Sequence, residues 1–329
     1  MGVLDAAAGE CPDKAEYRKL VRMTRRSAFR PGSASEVPLT QEETIKWLLN
    51  RSQRTNRTVP IRRAFVQDTE DGPVLQQKPG PLASLMRHER ALDLLLLMYA
   101  VTSGGDFSVT ERAETWGRAS GVSFATDGSA SAPISRLWRK LEDLQLIERS
   151  FEGRLLKVTK LLEDGSGKAY TRPTGSETSR KDVYFQLPYQ YWDEGLHKKL
   201  RMPGKVVMLI GMSLRKAKFP IVPETYQKWY GVSQASLRRG IDQLVEAQLL
   251  DEVDQEVFTT GETATGLGTR TLYAFRPPYH LNVNKTDRDD GGADSAGDTP
   301  TSGLPGAQPV FSQPSPVFPP LGGFARRPA

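Results

Sequence analysis

The chain has few of the residues from which disulfides and metal sites are built. Its 329 residues include one cysteine, Cys11, and three histidines. A single thiol cannot form an internal disulfide or a cysteine-based zinc site. The histidines stand far apart, without a nearby cysteine or a spaced pair of carboxylates. We therefore expect no metal site, no cofactor and no catalytic residues, and the chain is not predicted to be an enzyme.

Long apolar runs are scarce as well. The longest, Ala91–Val101, contains Asp93 and is much shorter than the roughly 20 residues that cross a bilayer. The N-terminus carries Asp5 and Glu10, where a secretory signal needs a basic start and an apolar stretch. We therefore expect no membrane partner and a cytoplasmic location, associated with the nucleoid if the chain binds DNA.

The net charge of +6 is unevenly distributed. The stretch from Lys14 to Arg63 holds thirteen basic residues and only four acidic ones. Such an excess suits contact with phosphates, although a solvated basic face or contact with an acidic protein would need the same composition. Lys14–Ser27 has apolar residues at helical spacing and a basic opposite face. Its candidate phosphate ligands are Arg22, Arg25 and Arg26.

Composition divides the chain into four segments. Thr40 precedes Glu43 by three residues, which is the capping-box spacing and predicts the start of a short helix. Asp68–Pro81 is rich in turn formers and is interpreted as a linker. The 49 residues from Leu281 hold eight prolines and seven glycines, so the tail is expected to be disordered. The predicted segments are a basic N-terminal arm (1–81), a first unit (82–192), a second unit (193–280) and the tail (281–329).

The second unit is predicted to run helix, helix, turn, helix, hairpin. Pro223 suits the first turn of a helix, and Ser233 is a favourable N-cap for the helix that follows the Gly231 turn. That last helix carries an apolar stripe of Leu237, Ile241, Leu244 and Val245. The predicted elements are helices at Pro203–Arg215, Pro223–Tyr230 and Ser233–Ala247, then strands at Glu252–Thr259 and Thr269–Phe275. This order is typical of a winged helix-turn-helix, and it is clearest from Val206 to Pro277.

The first unit repeats this order. Leu141–Glu148 aligns with Leu244–Asp251, and Gly121-Val-Ser123 matches Gly231-Val-Ser233. Seven extra residues lengthen its turn, which weakens the first unit as a DNA reader. Its predicted elements are helices at Leu85–Thr102, Val109–Ala119 and Pro133–Leu144, and wing strands at Arg154–Leu162 and Asp182–Leu187. The expected fold is therefore α+β and helix-rich, with two tandem winged helix-turn-helix units.

Candidate DNA contacts follow from the helix faces opposite the apolar stripes. Arginine can bridge guanine O6 and N7, and glutamine can pair with adenine N6 and N7, whereas hydroxyls and lysines reach phosphates. An ordinary solvated helix would expose the same residue types. In the second unit the candidates are Gln234, Arg238, Arg239 and Gln243 for bases, and Ser236 and Lys228 for phosphates. In the first unit they are Ser135, Arg136, Arg139 and Lys140, weakened by Glu142 and Asp143.

The hairpins offer further contacts. The first wing is predicted to be basic, and the second has only Arg270 near its tip. The basic residues of the first wing are Lys157, Lys160, Lys168, Arg172, Arg180 and Lys181.

Three stretches carry a resemblance to a known family. Leu187-Pro-Tyr-Gln-Tyr-Trp192, Gly204–Leu214 and Lys228-Trp-Tyr-Gly-Val-Ser233 resemble a family of actinobacterial winged-helix proteins from plasmids, phages and chromosomes, over roughly Leu187–Pro278. The doubled architecture is similar to that of plasmid replication initiators, in which one unit dimerises and the other reads repeated origin sites. That likeness assigns no site residues.

The resemblance implies double-stranded DNA as the partner and makes a homodimer a candidate assembly. The predicted function is sequence-specific DNA binding, as a transcriptional regulator or as a plasmid or phage-type replication initiator. The alternative is a protein-interaction adaptor, in which winged helices bind proteins and the proline-rich tail recruits a further protein partner.

Overall fold

A computed structural model describes residues 39–52, 54–70, 76–122, 131–153, 155–175, 182–261 and 263–280. Within these ranges the chain is a mixed α/β protein of short helices and small antiparallel sheets. None of the helices in these ranges has the length and apolar character that crossing a bilayer requires. The predicted basic helix with Arg22, Arg25 and Arg26, and the tail from Leu281, lie outside the described residues.

Helix α1 (Gln41–Arg51) begins with the predicted capping box. The Thr40 hydroxyl accepts a hydrogen bond from the Glu43 amide at 3.2 Å, and the Glu43 carboxylate accepts one from the Thr40 amide at 2.8 Å. These two bonds satisfy backbone donors that the first helical turn leaves unpaired. The helix buries Ile45, Leu48 and Leu49.

The interpretation of Asp68–Pro81 as a linker is wrong for the described residues of this stretch, because they form paired strands. Strand β1 (Thr58–Arg62) is followed by a hairpin of β2 (Gln67–Glu70) and β3 (Gln76–Pro79). The turn formers indicate where the chain reverses, but they carry no information on whether the flanking residues pair. At Gly80, an added Cβ would lie 2.5 Å from the Ala64 carbonyl oxygen, so the hairpin ends against neighbouring backbone.

The first unit departs from its prediction in two places. The expected helix Val109–Ala119 begins instead as a strand, and the wing follows the third helix directly. The predicted wing strand near Asp182–Leu187 exists at Tyr184–Pro188, but it pairs with β1. The elements are α2 (Leu82–Leu85), α3 (Glu89–Val101), β4 (Ser108–Glu111), α4 (Ala113–Ala119), α5 (Ser131–Asp143), β5 (Ile147–Glu152) and β6 (Leu155–Lys160).

The second unit follows its prediction closely, with one additional short strand before the second helix. The connecting elements are β7 (Tyr184–Pro188), α6 (Gln190–Asp193) and α7 (Leu196–Lys199). The unit itself consists of α8 (Met202–Ser213), β8 (Phe219–Pro220), α9 (Pro223–Tyr230), α10 (Gln234–Glu246), β9 (Leu250–Thr259) and β10 (Leu267–Phe275).

The two units share one topology. Each runs helix, strand, helix, helix, strand, strand, and in each three-stranded sheet the last strand lies in the middle, as β4-β6-β5 and β8-β10-β9. The second helix of each unit is followed by a glycine with positive φ, +67° at Gly121 and +69° at Gly231. Glycine adopts this left-handed conformation without a Cβ penalty.

One hydrophobic core runs through both units. In the first unit, the Trp116 and Trp138 rings meet edge to face, with centroids 5.3 Å apart. In the second, α10 crosses α8 at Gly240, where an added Cβ would lie 2.5 Å from Val207 Cγ2 and 2.6 Å from the Pro203 carbonyl oxygen. The glycine is therefore required by close helix packing.

Candidate nucleic-acid interface

The turn between α9 and α10 has the predicted form. Helix α9 ends at Gly231, and the Ser233 hydroxyl accepts a hydrogen bond from the Ser236 amide at 3.3 Å. Tyr226, Tyr230 and Val232 are buried around the turn, as is Leu237 of the predicted stripe. These contacts hold α9 and α10 against the core and leave the first turns of α10 at the surface.

The outer face of the first turns of α10 is exposed and basic, whereas Asp242 and Glu246 are exposed nearer the end of the helix. Gln234, Arg238 and Arg239 are exposed, as is Lys228 on α9. The Arg239 Nε atom donates to the Ala235 carbonyl of its own helix at 3.3 Å. Arg238 has no hydrogen bond or ion pair within the described ranges. The Ser236 hydroxyl is half-buried and accepts from the Ser233 hydroxyl at 3.0 Å, so it forms part of the N-cap.

Gln243, predicted to read bases, makes a contact within the second unit. Its Oε1 atom accepts a hydrogen bond from the Arg201 backbone amide at 2.9 Å. An added Cβ at Gly204 would lie 2.8 Å from the same oxygen. The side chain therefore faces α8, where it satisfies an unpaired donor at the start of that helix.

The apolar stripe of α10 is also shifted from the prediction. Leu237, Gly240 and Leu244 are buried, whereas Val245 is 44% exposed. The glycine lets α8 lie directly over the middle of α10. Val245 therefore lies at the edge of the contact between α8 and α10. The side chain of Gln243 lies within that contact.

Helix α5 of the first unit presents a weaker version of the same face. Ser135, Arg136 and Arg139 are exposed, and Lys140 is half-buried. Glu142, which the sequence suggested would repel phosphates, forms an ion pair with Arg149 on β5, whose Nε lies 2.9 Å away. The pair offsets one of the two acidic charges at that end of the helix.

Two of the six basic residues predicted for the first wing are held by carboxylates. Lys157 lies 2.8 Å from Asp106 and 3.2 Å from Glu152. Lys160 is fully buried, 3.0 Å from Glu163, and burial lowers its pKa to about 8. Lys160 therefore cannot contact phosphate, which corrects the prediction. Lys168 is exposed, Arg172 donates to the Ser103 carbonyl at 2.7 Å, and Arg180 and Lys181 lie outside the described residues.

The second hairpin is unsuited to phosphates. Arg270, its predicted contact, lies 2.9 Å from Glu256. Strand β9 carries acidic residues at four positions, while Val257 and Leu267 are 61% and 54% exposed. The acidic residues are Asp251, Glu252, Asp254 and Glu256.

Part of the predicted basic arm is structural. The Arg54 guanidinium donates to the carbonyls of Ala100 and Thr102, at 3.0 and 2.6 Å, and to that of Tyr99, at the C-terminal end of α3. A cation is favourable there because the last carbonyls of a helix are unpaired and partially negative. Arg62 is buried with Glu163 and Asp182, each at 3.0 Å. These two arginines are unavailable to phosphate, while Lys46 stays exposed.

In the part of the chain that is described, no group of three or more histidine, cysteine, aspartate or glutamate side chains is placed to hold a metal ion. Comparison of the chain with protein-family models, with curated proteins and with solved structures finds no match.

Proposed function

We propose that this chain is a tandem winged helix-turn-helix protein that binds specific sequences in double-stranded DNA, with α10 as the main reading helix. One observation carries the proposal. Both units have the same element order and the same strand order, and in the second unit a tight glycine turn is followed by a helix with an exposed basic face.

The exposed residues of α10 suit the chemistry of a major groove. The groove is about 12 Å wide and admits one helix, and its guanine edge offers two acceptors to an arginine. Arg238, which has no protein partner within the described residues, is the best candidate for a guanine contact. In this proposal Arg239 reads a second base, Gln234 on the first turn contacts an adenine, and Lys228 contacts a phosphate.

Helix α5 supplies a second, weaker contact through Ser135, Arg136 and Arg139. By the resemblance of its architecture to that of plasmid replication initiators, the chain acts as an initiator or as a transcriptional regulator, and one unit serves homodimerisation. Recovery of bound DNA across the genome separates these roles. Clustered repeats beside its own gene favour initiation, whereas scattered promoters favour regulation.

The test replaces Arg238 and Arg239 by alanine, singly and together, and measures binding to a DNA site selected from random sequences. Each lost base contact is expected to cost about 1–3 kcal/mol and to relax the preference at one position. Arg87→Ala, an exposed arginine before α3, is the matched control. Unchanged affinity and unchanged sequence preference in the double variant would overturn the assignment of α10.

A second candidate, the protein-interaction adaptor, is favoured by the hairpin of β9 and β10. Its exposed Val257 and Leu267 and its acidic strand suit a protein surface better than a phosphate backbone. An adaptor should elute from heparin at low salt and show no gel shift with any DNA. Strong heparin retention and a salt-dependent shift would exclude it as the main function.

A further inference from the structure

A pocket of about 280 Å³ lies where the two units meet. Its apolar walls come from α1, α3 and α6, through Ile45, Leu94, Leu97 and Trp192. Its polar lining includes Glu89, Asp93, His197, Arg90 and Arg201. A partly open cavity with apolar walls and a few converging polar groups is the usual form of a small-molecule site.

The two carboxylates of the pocket already have protein partners. Lys205 Nζ lies 3.0 Å from Glu89 Oε1 and 2.7 Å from Asp93 Oδ2. The remaining oxygens accept hydrogen bonds from the Met202 amide at 3.1 Å and from the Tyr191 hydroxyl at 3.4 Å. Because each carboxylate oxygen accepts one bond from the protein, a ligand does not need to supply a cation here.

His197 is the buried polar group with the weakest partner, since its only contact of this kind within the described residues is with the Tyr191 backbone. It is 7% exposed, and neither ring nitrogen makes a hydrogen bond of normal geometry within the described residues. Burial, together with the nearby Lys198, lowers its pKa to about 4, against a smaller opposing effect of the Tyr191 backbone. The ring is therefore neutral near pH 7 and offers one donor and one acceptor. A buried polar group left unpaired is unfavourable, so a ligand that bonds to it gains affinity.

Two arginines complete the lining. Arg90 and Arg201 are exposed, so they lie at the opening of the pocket, and neither guanidinium forms an ion pair in the part of the chain described. Lys198, the third cation, is already paired with Glu42. Guanidinium groups bind carboxylates and phosphates through two parallel hydrogen bonds. The unpaired positive charge at the opening therefore selects a negatively charged group.

We propose that this pocket binds a small organic anion. Its carboxylate or phosphate contacts Arg90 and Arg201, and a hydroxyl or amide group contacts His197. Its hydrocarbon part packs on Leu94 and Trp192. The proposal is independent of DNA binding, because no residue of the candidate DNA interface lines the pocket.

The experiment follows the histidine rings of the full-length protein by NMR. The chain has three histidines, and the exposed His88 and His280 serve as internal controls. The probes are citrate as a carboxylate and glucose 6-phosphate as a phosphate ester, each up to about 10 mM, which covers weak binding. Glucose and choline are the neutral and cationic controls. We expect one of the two anions to shift the His197 signals saturably. Comparison of the citrate and glucose 6-phosphate titrations then shows whether the pocket prefers a carboxylate or a phosphate.

The matched variants are Arg90→Gln with Arg201→Gln, and Arg87→Gln as an exposed arginine outside the pocket. The pocket pair should weaken binding about tenfold or more, because charge-assisted hydrogen bonds are lost. The Arg87 variant should bind the anion as the original chain does. The proposal is overturned if neither anion shifts His197, if choline or glucose shifts it equally, or if the pocket pair binds as tightly as the control.

Discussion

The ammonium of Lys205 lies 2.7 Å from a carboxylate oxygen of Asp93, so that a buried cation of the second unit is held by an acid of the first. Glu89 accepts a second contact from the same ammonium at 3.0 Å. Within the described residues, both carboxylates that pair with this charge of α8 lie on α3. The triad therefore joins the two units inside their shared hydrophobic core.

Replacing Lys205 by methionine should lower the free energy of unfolding by about 3 kcal/mol at pH 8, because two partly buried carboxylates lose their cation. Burial already raises the pKa of Asp93 to about 6 despite Lys205, and the variant raises it further. A protonated carboxyl needs no cation, so the cost should shrink as the pH falls through that pKa. Urea unfolding at pH 8 and pH 5 measures this loss of unfolding free energy. The control is Lys199→Met, which removes an exposed lysine. An equal cost at both pH values would contradict the prediction.

Arg54→Met should destabilise the fold by about 2–3 kcal/mol, because three carbonyls at the end of α3 lose a charged donor. The control is Lys46→Met, which removes an exposed cation from α1. Thermal or urea unfolding checks the stability. If the Arg54→Met protein were stable but bound DNA more weakly, Arg54 would instead be a contact to a DNA phosphate.

Gly240→Ala should destabilise the protein by about 1–3 kcal/mol through overpacking. An alanine ordinarily gains about 1 kcal/mol over glycine inside a helix, but here its Cβ would meet Val207 Cγ2 at 2.5 Å. Gly104→Ala is the control, since an added Cβ there has no atom within 4 Å. Stability measured by urea unfolding should fall only in the first variant. A stabilised Gly240→Ala protein would mean that α8 and α10 separate freely.

Gln243→Ala should leave DNA affinity within about twofold of the original, while the unfolding free energy falls by about 1 kcal/mol. The reason is that the Gln243 side chain accepts a hydrogen bond from the Arg201 amide and is not directed outward from the protein surface. Gln234→Ala, on the exposed first turn, should show the reverse pattern. Binding measured with the selected DNA site, alongside urea unfolding, distinguishes them. Loss of sequence preference in the Gln243 variant would restore it as a base reader.

His197 should make the protein less stable at acid pH. Burial lowers its pKa from 6.5 to about 4, so the unfolded chain takes up the proton first. Stability is then lost as the pH falls from 6.5 towards 4. The raised pKa of Asp93, about 6, has the opposite effect, because protonation of Asp93 below that pH stabilises the folded state. The contribution of His197 must therefore be obtained by comparing the original protein with a His197 variant. As the pH falls from 6.5 to 4, the unfolding free energy of the original protein should decrease relative to that of His197→Gln. Parallel profiles of unfolding free energy against pH would show that His197 does not have a lowered pKa in the folded state.

Several local features could be predicted from the sequence because their causes lie within a few residues. The capping box at Thr40, the N-cap at Ser233 and the Gly231 turn all depend on backbone groups three or four positions away. Helical spacing likewise predicts that Leu237 and Leu244 face inward. These signals place α10 and its exposed arginines correctly.

The remaining features depend on partners that are distant in the chain. The contact of Arg62 with Glu163 spans 101 positions, and no local pattern separates this buried arginine from an exposed one. The same holds for Lys160 in the first wing and for the pairing of β7 with β1. No local pattern singles out the pocket residue His197, because the pocket brings it together with α1 and α3, which are distant in the chain.

The amino-acid sequence was sufficient to predict the helices of the second unit, the turn between α9 and α10, and the sign of the charge along the chain. Each of these depends on short-range backbone and side-chain preferences. Tertiary contacts determine which of the cations are exposed, that Gln243 faces α8, and that α3 and α8 share one buried ion triad. Burial and pairing are set by contacts between distant segments, and for the cations of this chain they determine which ones remain free to bind a phosphate.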